Sequence, residues 1–450
     1  MMWTTHAAAQ AISAQVLGAD VAFARVTTDS RQIQAGDLFI ALRGDKFDGH
    51  DYVKQALEQG AAAVMVDEQA GLDIVPAIVV ADTRLALGQL ASVWRQRMPA
   101  RVLAITGSSG KTSVKEMLAA ILRVAVGDEA VLATQGNLNN DIGMPLTLLR
   151  LRLDHQFAVV EMGMNHAGEI AYLTELAHPD VAAIINAGTA HIGMLGSQAA
   201  IAAAKGEILA GLASRGIAVI NADDAYAAMW RELAGNHRVM DFGLVHGHDV
   251  CATYRAESLG SVITLQTGVV STVVHLAVAG EHNVMNALAA AAVAHAAGFG
   301  LELIKAGLES YQGVKGRLQR KAAKCGGVVI DDSYNANPDS TLAAIAVLAG
   351  MPGRKILVLG DMGELGDDAA VMHKQVGVAA KVAGIDALYA LGDLSVHAVN
   401  GFGEGALRFN AVEALVNAVD AQMSANVTVL VKGSRFMQME RVVKILEEQG

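Results

Sequence analysis

Short runs of apolar residues recur along the chain, each followed by loop chemistry and then by a segment of helical length with apolar positions three or four apart. In the first third, FIAL at 39–42 and AAAVMV at 61–66 read as strands. A helical stretch from about Asp51 to Gln59 lies between them, after the loop GDKFDGH at 44–50. Buried-strand runs follow at RVLAIT (101–106), FAVVE (157–161), VAAIIN (181–186) and GIAVIN (216–221). The alternation resumes with VVIDD (328–332), KILVLG (355–360), ALYAL (387–391) and VTVLV (427–431), with helices predicted after Pro338, from His373 and at the end. Continuous apolar strands separated by helices predict parallel sheets covered on both faces.

At roughly 150 residues per domain, 450 residues suggest about three domains. The pattern divides them into a small α/β N-terminal domain (1–83), a central P-loop-type domain (84–315) and a C-terminal Rossmann-like domain (316–450). The central domain is expected to be a mostly parallel sheet with helices on both faces. The second boundary falls at YQGVKGR, residues 311–317. There is no fixed-period repeat.

A mean hydropathy of +0.35 raises the question of a membrane span. The candidate is the Ala-rich run from Asn286 to Ile304, but His295, Gly298, Gly300 and Glu302 interrupt it, so it reads as a buried helix and no membrane insertion is expected. The opening MMWTTHAAAQ lacks a basic stretch and an apolar core, so no secretory signal is expected. Two cysteines suggest neither a disulfide framework nor a metal site, which fits a reducing cytoplasm. Net charge is −11, distributed as −6, −3 and −2 over the three domains, so none carries the basic excess that nucleic-acid binding needs. An anionic substrate must therefore be met by a few local donors.

Those donors are concentrated in TGSSGKTS at 106–113, between a strand and a helix. Glycines let the backbone wrap a phosphate, successive N–H groups point inward, and the helix N-terminus adds its positive dipole end. This gives Gly107, Ser108, Ser109, Gly110, Lys111, Thr112 and Ser113 as ATP-binding candidates, with Lys111 reaching the β- and γ-phosphates and the Thr112 hydroxyl on Mg²⁺. The general motif would place glycine at 105, where this chain has Ile105, so the loop is a shortened G-x-x-G-K-T.

That shortened loop resembles the ATP loop of the Mur ligases and folylpolyglutamate synthetases. Further segments follow the Mur ligase order: GNLNNDIGMP (136–145), VVEMGMNHAGEI (159–170), GEHNVMNALAA (280–290), GR (316–317), DDSYNANPDS (331–340), GDMGELG (360–366) and KGSR (432–435). The stretch 29–64 resembles the domain that holds the UDP end of the family's muramoyl substrate. The resemblance implies a cytoplasmic ATP- and Mg²⁺-dependent ligase acting through an acyl phosphate. The pairing of DDSYNANPDS with GDMGELG implies, within the family, the joining of D-alanyl-D-alanine to UDP-N-acetylmuramoyl-tripeptide. Monomer is the default expectation.

Site roles follow from the resemblance, residue by residue. Glu161 and His191 are implied as ligands of a second metal ion, although His191 taken alone reads as a loop histidine, and Ala190 stands where several relatives carry aspartate. Lys205 lies on the apolar stripe of Ile201, Ile208, Leu209 and Leu212, in a helix that Ser197 caps. Burial there would favour a neutral amine able to react with CO₂. Relatives carry a carbamylated lysine at the matching position, which implies carbamylated Lys205 as a metal ligand. Asn283 and Asn286 are implied near the nucleotide, Arg317 at the γ-phosphate, Asp332 at the ribose and Asn335 near the base. Asn137, Asn139 and Asn140 are implied at the muramoyl substrate, with Ser30 and Arg31 at its uridine end. Lys111, Glu161, His191, Lys205 and Arg317 form the implied catalytic set.

Overall fold

The computed structural model describes residues 2–44, 46–71, 74–190, 192–257, 260–323 and 326–447. Three large sheets follow one another along the chain, with two further two-stranded pairs in the first domain. The first has five strands in the order Gln15–Leu17, Ala77–Val80, Ala63–Asp67, Asp37–Ile40 and Arg25–Thr27, parallel except at the Gln15–Leu17 edge.

The second sheet has nine strands. Val131–Ala133, Phe157–Glu161, Arg101–Thr106, Val181–Ile184, Ile217–Asn221, Arg238–Gly243 and Val250–Ala256 run parallel in that spatial order. Ser261–Thr267 and Val270–Leu276 extend it as antiparallel strands. Arg101–Thr106 sits where the strand order reverses, so the chain leaves its C-terminal end between two diverging connections. Ligands of open α/β sheets bind at such a switch point. In register, Ile105 pairs with Glu161 and Thr106 with Ile184, which places TGSSGKTS, Glu161 and the NAGT turn at 186–189 side by side.

The third sheet has six strands, five of them parallel, with Val427–Lys432 inserted between Val328–Asp332 and Arg354–Gly360. This is the Rossmann-like pattern expected from the sequence. Asp332 lies opposite Lys432 in the register.

The hydrophobic cores divide the molecule unequally. Each face of the third sheet has its own core. One face of the central sheet, by contrast, shares a continuous core with the first domain, running from Trp3, Leu38 and Ile78 through Leu87 and Leu90 to Val102, Ile184 and Trp230. Helix Thr83–Gln96 is the wedge between the two, and Trp94 meets Trp3 edge-on at 5.2 Å. On the opposite face the Ala-rich run forms two helices, Glu281–Ala296 and Leu301–Ser310, broken at the glycines 298 and 300. Ala287 to Ala294 are wholly buried, because the small side chains let this helix lie against helix Lys111–Val126 and the sheet together. No helix among the described residues is long and apolar enough to cross a membrane.

Candidate functional site

The three converging strand ends open on a cleft of about 1660 Å³, closed on its far side by the third domain. Its floor is the phosphate loop. Gly110 has φ +85°, and a side chain there would collide with Asn286 Oδ1, so both the turn and the close approach of helix Glu281–Ala296 require glycine. Lys111 curls back to donate from Nζ to the Gly107 carbonyl at 2.7 Å. Burial lowers the Lys111 pKa; Glu161 opposes the shift and Arg317 adds to it.

Glu161 is 2% exposed, and its carboxylate is fully engaged. Oε2 accepts from Thr112 Oγ1 at 3.0 Å and Oε1 from Asn139 Nδ2 at 2.8 Å. Its backbone N–H donates to Thr134 Oγ1 at 3.0 Å, fixing the strand end. Asn139 therefore reaches the site from the Asn-rich loop. Asn140 Oδ1 caps the following turn by accepting from Gly143 N–H at 2.9 Å, and Asn137 lines the cleft. Ser30 and Arg31 do not line it; Arg31 pairs with Asp29 at 2.8 Å on the surface of the first domain.

Lys205 stands in helix Gln198–Gly206, whose N-terminus is capped by Ser197 Oγ accepting from Ala200 N–H at 3.1 Å. Ile201, Ile208, Leu209 and Leu212 are all buried around it, and Lys205 itself is 2% exposed. Its helix is pinned by Trp230, whose indole N–H donates to the Ala202 carbonyl at 2.9 Å. No described residue offers the Lys205 ammonium a hydrogen bond or an ion pair, and Lys111 adds a second positive charge nearby. Burial first, then Lys111, push the Lys205 pKa well below the ordinary lysine value. His191 lies outside the described residues.

The third domain reaches the phosphate loop at several points. Arg317 donates from Nη2 to Thr112 Oγ1 at 3.0 Å, with its guanidinium 4.5 Å above the Tyr334 ring, and its buried Nε has no acceptor. Asn337 donates from Nδ2 to Ser109 Oγ at 3.2 Å. Asp339 Oδ2 accepts from both the backbone N–H and the hydroxyl of Thr189, at 2.6 and 2.9 Å. Asp332 is held internally, by Lys432 Nζ at 2.5 Å and by Leu318 N–H at 3.1 Å. Burial raises its pKa while Lys432 and Arg317 oppose the rise. Asn335 lines the cleft, and its Oδ1 accepts from its neighbour Ala336 N–H at 2.9 Å.

Asn283 and Asn286 sit at the cleft end of their helix, joined by a bond of 3.3 Å from Asn286 Nδ2 to Asn283 Oδ1. Beside them the pKa of His282 is lowered to about 4, by burial and by Lys432.

The structure thus brings together the phosphate loop, Glu161, Asn137, Asn139, Asn140, Asn283, Asn286, Arg317, Asp332 and Asn335 around one cleft. Sequence reasoning passed over Asn186, Thr189, Asp339 and Lys432. A signal existed for two of them: Asn186 is the polar residue that ends the apolar run VAAIIN, and Lys432 begins KGSR.

The donor set fits a magnesium nucleotide. A hydroxyl and a carboxylate supply hard oxygen ligands, and a guanidinium with an N–H unpartnered among the described residues lies beside the phosphate loop.

Three family models match in succession: the Mur ligase family catalytic domain over 22–95, the Mur ligase middle domain over 105–294, and the Mur ligase glutamate ligase domain over 316–435. The UDP-N-acetylmuramoyl-tripeptide–D-alanyl-D-alanine ligase of Escherichia coli (strain K12) is 46% identical, covering 98% of this chain and 97% of its own. Among solved structures, MurF from Acinetobacter baumannii superposes with a TM-score of 0.91 at 40% identity, over 99% of both chains. MurF ligase from Thermotoga maritima, in complex with ADP, gives 0.84 at 27% identity over 94% of this chain and 96% of its own. With these likenesses running the length of a chain whose third domain closes on a shortened phosphate loop, the protein belongs to the Mur ligase family.

Proposed function

We propose that this chain is the ATP-dependent ligase that joins D-alanyl-D-alanine to UDP-N-acetylmuramoyl-tripeptide, giving the UDP-muramoyl-pentapeptide precursor of peptidoglycan. One observation carries the reading: Arg317 of the third domain meets Thr112 of the phosphate loop, where Thr112 also bonds Glu161. A nucleotide held at that junction has cationic donors on both sides. The terminal carboxylate of the tripeptide attacks the γ-phosphorus, and ADP departs. The dipeptide amine then attacks the acyl carbon, losing a proton as phosphate leaves.

Two anions must approach in the first step, so charge neutralisation dominates the barrier. Lys111 and Arg317 supply it from opposite domains, and full closure of the third domain over the cleft would exclude the water that otherwise hydrolyses the acyl phosphate. Mg²⁺, when bound, screens the phosphate oxygens; Thr112, Glu161 and a carbamylated Lys205 are the described residues that would hold it. The carbamate reading of Lys205 rests on its burial without a partner among the described residues. Reaction of a neutral amine with CO₂ forms an N–C bond and releases one proton, and it places an anion beside Lys111.

In this reading, residues 1–83 hold the uridine end, with Ser30 and Arg31 at the nucleobase side. Residues 84–315 hold ATP and the tripeptide terminus, and residues 316–450 hold the dipeptide. The enzyme works as a cytoplasmic monomer.

The test is phosphate release from MgATP with both acceptor substrates, or with either one left out. The expected result is release that requires both, with a product heavier by one dipeptide. Release indifferent to the muramoyl tripeptide or the dipeptide would overturn the substrate assignment and favour a sister ligase.

A further inference from the structure

The NAGT turn at 186–189 lies beside the phosphate loop and contributes a side chain to it. Asn186 Oδ1 accepts from Ser108 N–H at 2.9 Å and from Ser109 N–H at 3.0 Å, while its Nδ2 donates to the Ser109 carbonyl at 3.0 Å. The Asn186 carbonyl also accepts from Ser108 N–H at 3.2 Å, and Ser108 Oγ donates to the Gly188 carbonyl at 3.4 Å. The turn is held in place from behind. Ala187 N–H donates to Asp224 Oδ2 at 2.9 Å, and Asn221 Nδ2 donates to the Ile185 carbonyl at 2.9 Å.

By contrast, the N–H groups of Gly110, Lys111, Thr112 and Ser113 have no acceptor among the described residues. A phosphate loop is usually treated as a single nest of inward N–H groups. Here its amides fall into two sets.

We propose that Asn186 is a positioning residue that divides the phosphate loop, holding the Ser108 and Ser109 amides to itself and leaving the four amides from Gly110 to Ser113 for the nucleotide phosphates. An amide side chain suits this task because it offers an acceptor and a donor in one plane, matching two N–H groups and one carbonyl. The same turn meets the third domain through Thr189 and Asp339, and Ser109 meets it through Asn337. Closure of that domain therefore bears on the part of the loop that Asn186 shapes as well as on Thr112, which Arg317 meets.

The inference rests on the ligase reading only in taking the loop to bind nucleotide phosphate. Its two deciding readouts use the full-length protein without tripeptide or dipeptide, so an error in the acceptor's identity leaves them untouched. The first readout is amide hydrogen exchange of the 106–113 segment in the nucleotide-free protein. The Ser108 and Ser109 amides should be protected at least tenfold in the wild type; Ser109 should lose that protection in Asn186→Ala, where Ser108 keeps only the backbone carbonyl of residue 186, and both should keep it in Asn186→Asp, which retains the acceptor. The second is calorimetric affinity for MgADP, expected to fall roughly 10–100-fold in Asn186→Ala, as for two or more lost positioning bonds. In turnover, the KM for ATP should rise while that for the muramoyl substrate stays within about twofold, a split that general destabilisation would not give. Unprotected Ser108 and Ser109 amides in the wild type, or equal exchange in all three proteins, would overturn the proposal, as would unchanged MgADP affinity in folded Asn186→Ala.

Discussion

Lys205 and Arg317 face the same problem, a cation in a closed site, and resolve it differently. Arg317 keeps its charge, since a guanidinium does not deprotonate in proteins, and spends one N–H on Thr112 while its Nε stays without an acceptor. Losing one preorganised donor of this kind costs about 10²–10³ in turnover, and Arg317→Ala is expected to show that loss in kcat. A reduction below about fivefold would remove Arg317 from the phosphate site.

Lys205 has no partner among the described residues, and burial and Lys111 lower its pKa, which in the proposed carbamate reading favours the amine that reacts with CO₂. Lys205→Ala is expected to abolish turnover and to recover part of it with added formate or acetate, read in a phosphate-release assay. Full activity without rescue would exclude the carbamate. His282 gives a pH dependence. Its folded pKa of about 4 lies below the unfolded value of 6.5, so the unfolded chain binds more protons between these values. Stability is therefore complete above about pH 6.5 and declines as pH falls toward 4. Denaturant titrations at pH 7 and pH 5 should show the decline, and His282→Gln should reduce it.

At the level of elements, the placement of Lys205 depends on packing far from the chemistry. Trp230 is wholly buried and holds helix Gln198–Gly206 through its indole N–H, so Trp230→Ala should cost about 3–5 kcal/mol in chemical denaturation. The catalytic loss should exceed what the folded fraction explains. The sequence pattern predicted those parallel strands that are continuous apolar runs buried on both faces, and it predicted the phosphate loop because glycine spacing has a direct backbone meaning; it passed over shorter or more polar parallel strands such as Val131–Ala133 and Arg238–Gly243. It also passed over 250–276, where strands such as VCATYRA are only partly buried and do not read as continuous apolar runs. Contacts such as Thr189 to Asp339 were out of reach for another reason. They join residues 150 positions apart, and nothing local in either segment specifies the other.

Across the whole molecule, the unequal division of cores sets what can move. The first domain and one face of the central sheet share a core, whereas the third domain has two of its own and touches the phosphate loop through polar side chains. The chain crosses between them at Gly313 to Leu318, where Gly313, Gly316 and Leu318 all have positive φ. Residues 1–310 should therefore unfold as one cooperative unit and the third domain as another. Proteolysis or hydrogen exchange in mild denaturant would reveal this, and a single transition for all three sheets would contradict it. The shared core also sets an order of events. On the proposed assignment, the sugar-nucleotide acceptor and ATP would load onto the two domains that share this core, each able to dock while the third domain stands away. The dipeptide, assigned in the proposed reading to the third domain, would be brought to them last. Bisubstrate kinetics should then show the amine as the final substrate to add, a timetable written by which hydrophobic residues happen to touch.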